Sequence, residues 1–76
     1  HKFENIDVPM KQQGNWTKKT IVGNDVWIGS NAVIMPGVVL GDGSIIGANS
    51  VVTKNVKQLN IVAGIPAKVI GVRGKN

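Results

Sequence analysis

The fold can be inferred from residues 26–52, which read VWIGSNAVIMPGVVLGDGSIIGANSVV. This segment consists mostly of small and aliphatic residues, and Asp42 is its one charged residue. Its glycines recur every few positions, and each would weaken a helix by about 1 kcal/mol relative to alanine. Because the segment is also far longer than a typical strand, it predicts neither one helix nor one strand.

Apolar residues recur along the chain with a period of six. An aliphatic residue occupies six successive positions of this repeat: Val22, Ile28, Ile34, Leu40, Ile46 and Val52. The next position is most often glycine, and the position four residues after the aliphatic one is small or β-branched. Six residues suit one short strand and a tight corner, where glycine adopts dihedral angles that a β-carbon disfavours.

Three such units would form one triangular coil, and stacked coils would pair as parallel strands roughly 4.8 Å apart. Residues three units apart then lie one above another, which places Ile28 over Ile46. Polar turn-forming residues are expected at the corners. These are Asn24, Asp25, Asn31, Asp42 and Asn49. The predicted fold class is all-β, a parallel β-helix of about two coils.

The residue before each inward-pointing aliphatic residue is also apolar, and side chains alternate between the two faces of a strand. The outward set comprises Ile21, Trp27, Val33, Val39, Ile45 and Val51. A contiguous exposed apolar surface marks an interface or a ligand groove. We therefore expect the chain to pack against a partner subunit.

The chain is expected to have three segments. Residues 1–20 are polar and break the repeat, which predicts an N-terminal excursion loop, and residues 21–56 form the β-helix. Residues 57–76 are expected to form a C-terminal cap over the last strand edges and a basic tail, and residues 54–59 are a candidate for a short helix. No N-terminal cap is evident, so we expect the C-terminal part of a longer protein.

The charges are distributed unevenly. The net charge is +5, and the last third of the chain has five basic residues and no acid. These form either a solvated tail or a site for an anionic ligand such as a phosphate-bearing cofactor.

Composition also bears on other partners and on location. With one Phe, two Trp and no Tyr, no nucleic-acid platform is expected. With no cysteine, no disulfide or thiolate metal site is expected. No apolar run predicts a membrane span and the polar start does not resemble a signal peptide, so the expected location is the cytoplasm.

Residues Ile21 to Lys54 and the segment GIPAKVI (64–70) resemble the hexapeptide-repeat, or isoleucine-patch, acyltransferases. They are most similar to the acetyl-CoA-dependent sugar and xenobiotic O-acetyltransferases, and HKFEN, PM and QG in residues 1–14 resemble the subgroup that acetylates polysaccharide or capsule sugars. The resemblance implies a left-handed coil, whereas connection rules alone favour a right-handed crossover. It also implies a homotrimer that transfers an acetyl group from acetyl-CoA to a hydroxyl of a sugar or related acceptor, with no metal.

The resemblance implies that His1, the one histidine of the chain, is the catalytic general base that takes the proton of the acceptor hydroxyl. Imidazole suits this role because its pKa of about 6.5 leaves it largely neutral at pH 7. The alternative is that His1 is an arbitrary first residue or a tag remnant. Without cysteine or a Ser-His-acid pattern, direct transfer is favoured over a covalent intermediate.

Further positions match residues that bind coenzyme A in similar enzymes. The cofactor-binding residues that this implies are Ser30, Ala48, Thr53, Lys54, Lys68 and Arg73. The first two would meet the pantetheine arm, and the lysine at 68 would meet the phosphate end. Arg73 is near a second such cation but shifted along the sequence, and each of these residues has an alternative as an ordinary corner residue or solvated charge. Trp27 is expected at the acceptor and thioester region or in trimer packing.

Two other classes of protein share this repeat. A non-catalytic trimerisation or scaffold module would have the coil without the chemistry, and binding of acetyl-CoA discriminates it from the enzyme. A γ-type carbonic anhydrase needs three histidine metal ligands. The single histidine of the chain argues against this class unless symmetric subunits each supply one, and zinc analysis of the pure protein discriminates it.

Overall fold

The computed structural model describes residues 19–74. Within this range the chain forms strands and turns and no helix, which confirms the all-β prediction. The strands are β1 (Ile21–Val22), β2 (Trp27–Ile28), β3 (Val33–Ile34), β4 (Val39–Leu40), β5 (Ile45–Ile46), β6 (Val51–Val52), β7 (Asn60–Gly64) and β8 (Ala67–Val72). The predicted excursion loop falls almost entirely on residues 1–18, which lie outside the described residues together with 75 and 76.

The strands stack into three faces. Strand β1 pairs with β4, β2 pairs with β5, and β3 pairs with β6, all in parallel and with partners eighteen residues apart. Ile28 therefore lies over Ile46, as the repeat predicts. The three pairings close one triangular coil per eighteen residues, so the chain is a parallel β-helix.

The interior of the coil is filled by the second residue of each strand. Ile34 and Leu40 have no exposed surface, and Val22, Ile46 and Val52 are about as deeply buried. Ile28 is half-buried and packs against the same core. The position four residues later also points inward, since Val26, Val38, Ser44 and Ser50 are all buried. The aliphatic position and the small or β-branched position of the repeat therefore build one continuous core.

The first residue of each strand points outward. Ile21 is 48% exposed and Trp27 is 57% exposed, although both are large and apolar. Val39 is also exposed, and Val33, Ile45 and Val51 are half-buried. The predicted alternation of the two faces is confirmed, and it leaves the apolar outer surface from which a partner subunit is expected.

The corners share one backbone conformation. Residues with positive φ recur every six positions along the first two coils: Asp25, Asn31, Gly37, Gly43 and Asn49, with φ between 59° and 83°. Asn, Asp and Gly are the residues that adopt this left-handed conformation at low cost. The predicted corner role of Asp25, Asn31 and Asn49 is therefore explained by their backbone dihedral angles.

The third coil is shorter than the first two. Leu40 pairs with Val56 and Ile46 pairs with Val62, so these partners are sixteen residues apart instead of eighteen. The candidate helix at residues 54–59 is wrong, because Val56 forms a β-bridge there and a turn follows at residues 58 and 59. The backbone N–H and C=O groups of Val56 form hydrogen bonds with the coil above instead of helical hydrogen bonds.

The predicted cap begins by extending the coil. Strand β7 pairs in parallel with β5, and β8 then turns back to pair antiparallel with β7, with a register shift between Ile61 and Val62. The hairpin therefore supplies a third rung on one face and covers the edge that β5 would otherwise present.

Ser44 and Ser50 test the packing of this core, because both are fully buried at equivalent positions of the repeat. The Ser50 Oγ accepts a hydrogen bond of 3.1 Å from the Gly64 N–H, whereas the Ser44 Oγ has no partner among the described residues. An unpaired buried hydroxyl costs about 1–3 kcal/mol. We expect Ser44→Ala to leave the melting temperature unchanged or to raise it, and Ser50→Ala to lower it by roughly 4–8 °C.

Calorimetry of the two variants side by side checks this pair. A loss of stability in Ser44→Ala as large as that in Ser50→Ala would contradict the prediction, since each substitution removes one serine Oγ.

Candidate cofactor site

A cavity of about 490 Å³ lies at the lower end of the coil. It is lined by residues 52–57, by Asn60 and Val62 of β7, and by residues 66–69 of the hairpin. The volume falls within the range of about 300–1,000 Å³ that is usual for small-molecule sites. The cavity exists because the third coil is short and the hairpin folds back beneath it.

The cavity brings together three of the predicted cofactor residues. Thr53 and Lys54 come from the corner after β6, Lys68 comes from β8, and a third lysine, Lys57, also lines the cavity. None of the described residues that line it is acidic. A recess with several ammonium groups and no carboxylate attracts an anionic ligand, and phosphate groups are the chemistry that fits it.

Ser30 and Ala48 lie higher on the coil, at the corner between β2 and β3 and the corresponding corner below it. They are stacked as predicted, because the Asn49 N–H donates a 2.8 Å hydrogen bond to the Ser30 carbonyl oxygen. Both residues are exposed. A β-carbon on Gly29 would lie 2.5 Å from the Ala48 backbone nitrogen, so this corner depends on glycine for the close approach of its coils.

A column of small residues continues downward from that corner. A β-carbon on Gly47 would lie 3.0 Å from the Ala63 β-carbon, and Ala63 pairs with Lys68 across the hairpin. The surface therefore runs from Ser30 and Ala48 over small side chains to a lysine at its lower end.

Arg73 occupies a different corner of the coil. Its Nη1 donates hydrogen bonds of 3.1 Å to the carbonyl oxygens of Asp25 and Gly43, and its Nη2 lies 3.2 Å from the Asp25 carboxylate. The backbone N–H of Arg73 donates to the Leu59 carbonyl oxygen at 2.6 Å. Arg73 thus spans the three stacked corners and does not line the cavity that holds Lys54 and Lys68.

The remaining predicted site residues lie away from the cavity or outside the described residues. Trp27 is exposed on β2 and pairs in register with Ile45, so its proposed place beside the acceptor or in a trimer stays a prediction. His1 lies outside the described residues, and its role as base also stays a prediction.

Sequence reasoning did not assign two polar residues of the segment 52–57 to the site. Lys57 entered only as part of the basic tail, and Asn55 was not singled out. The side chain of Asn55 accepts a 2.8 Å hydrogen bond from the Val39 N–H. A signal for the altered corner was present in the sequence, because the repeat requires an aliphatic residue at position 58 and has Gln58 there.

Residues 19–74 were searched for a metal-ion site and for a membrane-spanning helix. No group of three or more His, Cys, Asp or Glu side chains is placed to hold a metal ion in this range. The same range contains no helix long and apolar enough to cross a membrane.

The parallel β-helix is the fold of one class of protein, the hexapeptide-repeat acetyltransferases with their left-handed coil, as comparison with known proteins shows. Residues 19–54 match the family model described as bacterial transferase hexapeptide (six repeats). This chain therefore belongs to the hexapeptide-repeat transferase family.

Individual relatives agree with the family. A chloramphenicol acetyltransferase of Agrobacterium fabrum is 57% identical over 54 residues, which are 71% of this chain and 26% of the relative. A galactoside acetyltransferase solved in complex with coenzyme A superposes with a TM-score of 0.71 at 49% identity, over 72% of this chain and 28% of that one.

A second solved structure is the hexapeptide-repeat acetyltransferase of Vibrio cholerae O1 biovar eltor complexed with acetyl coenzyme A. It gives a TM-score of 0.74 at 40% identity, over 76% of this chain and 32% of that one. The chain spans about a quarter to a third of the length of the curated relatives it matches.

The position of Arg73 yields a prediction that separates two roles for it. If it holds the three corners together, Arg73→Ala should reduce the free energy of unfolding by about 1 kcal/mol, a modest figure because the ion pair is partly exposed. The apparent affinity for coenzyme A should stay within about twofold of wild type. Thermal unfolding and isothermal titration with coenzyme A measure the two quantities. A weaker affinity for coenzyme A with an unchanged free energy of unfolding would instead indicate that Arg73 binds the cofactor.

Proposed function

We propose that the chain supplies the cofactor-binding end of an acetyl-CoA-dependent O-acetyltransferase that acts on a hydroxyl of a sugar or related acceptor. The observation that carries this proposal is the cavity in which Thr53, Lys54 and Lys68 converge without an acidic neighbour. The relatives named as chloramphenicol and galactoside acetyltransferases support the reaction class and an acceptor that carries a hydroxyl.

The described residues fit coenzyme A in two respects. The ammonium groups of Lys54 and Lys68 would hold phosphate groups at the cavity, where a phosphate can form charge-assisted hydrogen bonds. The small side chains of Ser30 and Ala48 leave the backbone at that corner accessible to a narrow pantetheine arm. When bound, acetyl-CoA supplies an acetyl group activated as a thioester.

The transfer itself is proposed to be direct. His1 would accept the proton of the acceptor hydroxyl at its imidazole nitrogen, so that the oxygen becomes nucleophilic as it forms the new ester bond. The chain has no cysteine, and a covalent acetyl-thiol intermediate on this chain is therefore not part of the proposal.

A homotrimer is proposed because the resemblance to the hexapeptide-repeat acyltransferases implies it, and the apolar outer surface supports contact with partner subunits. Ile21, Trp27 and Val39 are exposed on two neighbouring faces, and burying such residues against a second subunit would stabilise the assembly. The same observation favours the second candidate function, a non-catalytic scaffold module. The two differ in one measurement, because the scaffold module would not bind acetyl-CoA.

Lys68→Glu tests the phosphate contact. The substitution replaces a charge-assisted hydrogen bond by a like-charge repulsion, so the KM for acetyl-CoA should rise by roughly 10- to 100-fold. The KM for the acceptor should stay nearly constant. Steady-state kinetics on the full-length protein measures both values, and Lys19→Glu is a matched control because Lys19 is exposed and lies away from the cavity. Equal increases in the two KM values would count against a phosphate contact.

His1→Ala tests the base. Loss of a positioned general base should lower kcat by roughly 10²- to 10⁴-fold, while the trimer measured by sedimentation stays intact. Undiminished turnover by the variant of the full-length protein would exclude His1 from proton transfer.

A further inference from the structure

The hydrogen-bond pattern on the β1–β4 face changes between one coil and the next. Between the first two coils, the Ile21 N–H donates to the Val38 carbonyl oxygen at 3.1 Å and the Gly23 N–H donates to the Leu40 carbonyl oxygen at 2.8 Å. One coil lower, the second bond recurs between Gly41 and Val56 at 2.8 Å. The first bond does not recur between backbone atoms.

The side chain of Asn55 takes the place of the missing backbone carbonyl. The Val39 N–H donates to the Asn55 Oδ1 at 2.8 Å, and the Val56 N–H donates to the Val39 carbonyl oxygen at 2.9 Å. A carboxamide presents the same carbonyl acceptor as a peptide unit. At this point of the β1–β4 face, the ladder therefore continues through a side chain.

The Asn55 side chain replaces the backbone acceptor because the corner after β6 is shortened. The chain passes from β6 to Val56 with two residues fewer than the other corners use, and none of residues 53–55 has the positive φ found at the five regular corners. Val52 is held above by its pairing with Ile34, and Val56 is held by Leu40. Between these anchors, the Asn55 side chain makes the hydrogen bond that ties the corner to the coil above.

This corner is also a wall of the candidate cofactor site. Thr53 and Lys54 are the two residues between β6 and Asn55, and both line the cavity together with Lys68. Their positions depend on the path of the corner, because among residues 19–74 neither makes a hydrogen bond of its own to the coil above, whereas Asn55 does.

We infer that Asn55 is a positioning residue, which holds Thr53 and Lys54 where they meet the phosphate end of coenzyme A. This inference rests on the proposed function. The residue acts through its acceptor oxygen on Val39 and through the backbone of the corner. Its role therefore differs from that of the lysines, which would touch the cofactor directly.

The test compares variants with and without the acceptor oxygen in the full-length protein. Asn55→Leu keeps the volume and removes the acceptor, and Asn55→Ala removes both. Asn55→Asp keeps the oxygen, and it is assayed with wild type at an ionic strength that screens the new carboxylate from the lysines of the cavity. Steady-state kinetics gives KM for acetyl-CoA and kcat, and amide hydrogen exchange of Val39 reports the hydrogen bond itself.

The two variants without the acceptor should raise the KM for acetyl-CoA by about three- to tenfold, the equivalent of one ordinary hydrogen bond. Their kcat and acceptor KM should remain within about twofold of wild type, and the Val39 amide should exchange faster. Asn55→Asp should restore both the KM and the protection of that amide.

Three results would overturn the inference. In the first, Asn55→Leu and Asn55→Ala leave the KM unchanged while wild type turns over. In the second, kcat and both KM values change together with the melting temperature, which is the behaviour of a purely structural residue. In the third, Asn55→Asp protects Val39 but binds acetyl-CoA as poorly as Asn55→Leu. Absence of turnover in wild type would instead overturn the proposed function, and this inference with it.

Discussion

The structure depends on parallel backbone pairing between coils whose strands are only two residues long. Such short strands make few hydrogen bonds each, so their register cannot come from strand length. It comes from the corners, which must turn the chain by the same amount each time. Positive φ at every sixth residue provides that turn, and residues without a β-carbon, or with a short amide or carboxylate side chain, adopt it at low cost. Once the corners agree, each aliphatic residue stacks directly on the equivalent residue of the next coil.

This constraint also decides where polar chemistry can lie. The two residues of each strand are taken by the core and by the apolar outer surface, so side chains with other functions are left to the corners and the hairpin. Ser30, Ala48, Thr53 and Lys54 are corner residues, and Lys68 belongs to the hairpin. Coil stacking brings residues that are far apart in sequence into one column. A repeat segment with few polar residues can therefore still contribute corner residues to a candidate binding surface.

The lower end of the coil departs from this regularity, and the departures stabilise one another. The third coil omits two residues at the corner after β6, and the Asn55 side chain completes its ladder. Leu59 takes the left-handed conformation at a corner where the other coils have Asp or Gly, and its carbonyl oxygen accepts from the Arg73 N–H. Strain of about 1–3 kcal/mol at such a residue persists only when its surroundings hold it in place. Arg73 contacts Leu59 through its backbone N–H, and its side chain contacts the carbonyl oxygens of Asp25 and Gly43 at the two corners above.

The sequence by itself determined the period, the faces and the type of fold, because these follow from local rules. An aliphatic residue every sixth position, an apolar residue before it and Asn, Asp or Gly at the corners are sufficient to predict stacked coils with Ile28 over Ile46. Matching positions also selected Thr53, Lys54 and Lys68, which the structure brings to one cavity. Only the tertiary structure decided the two-residue shortening, the β-bridge in place of a helix at residues 54–59, the corner occupied by Arg73 and the contact of Asn55. Each of these depends on a hydrogen bond between residues at least sixteen positions apart, and no local pattern encodes which backbone group will be left without a partner until the coils are stacked.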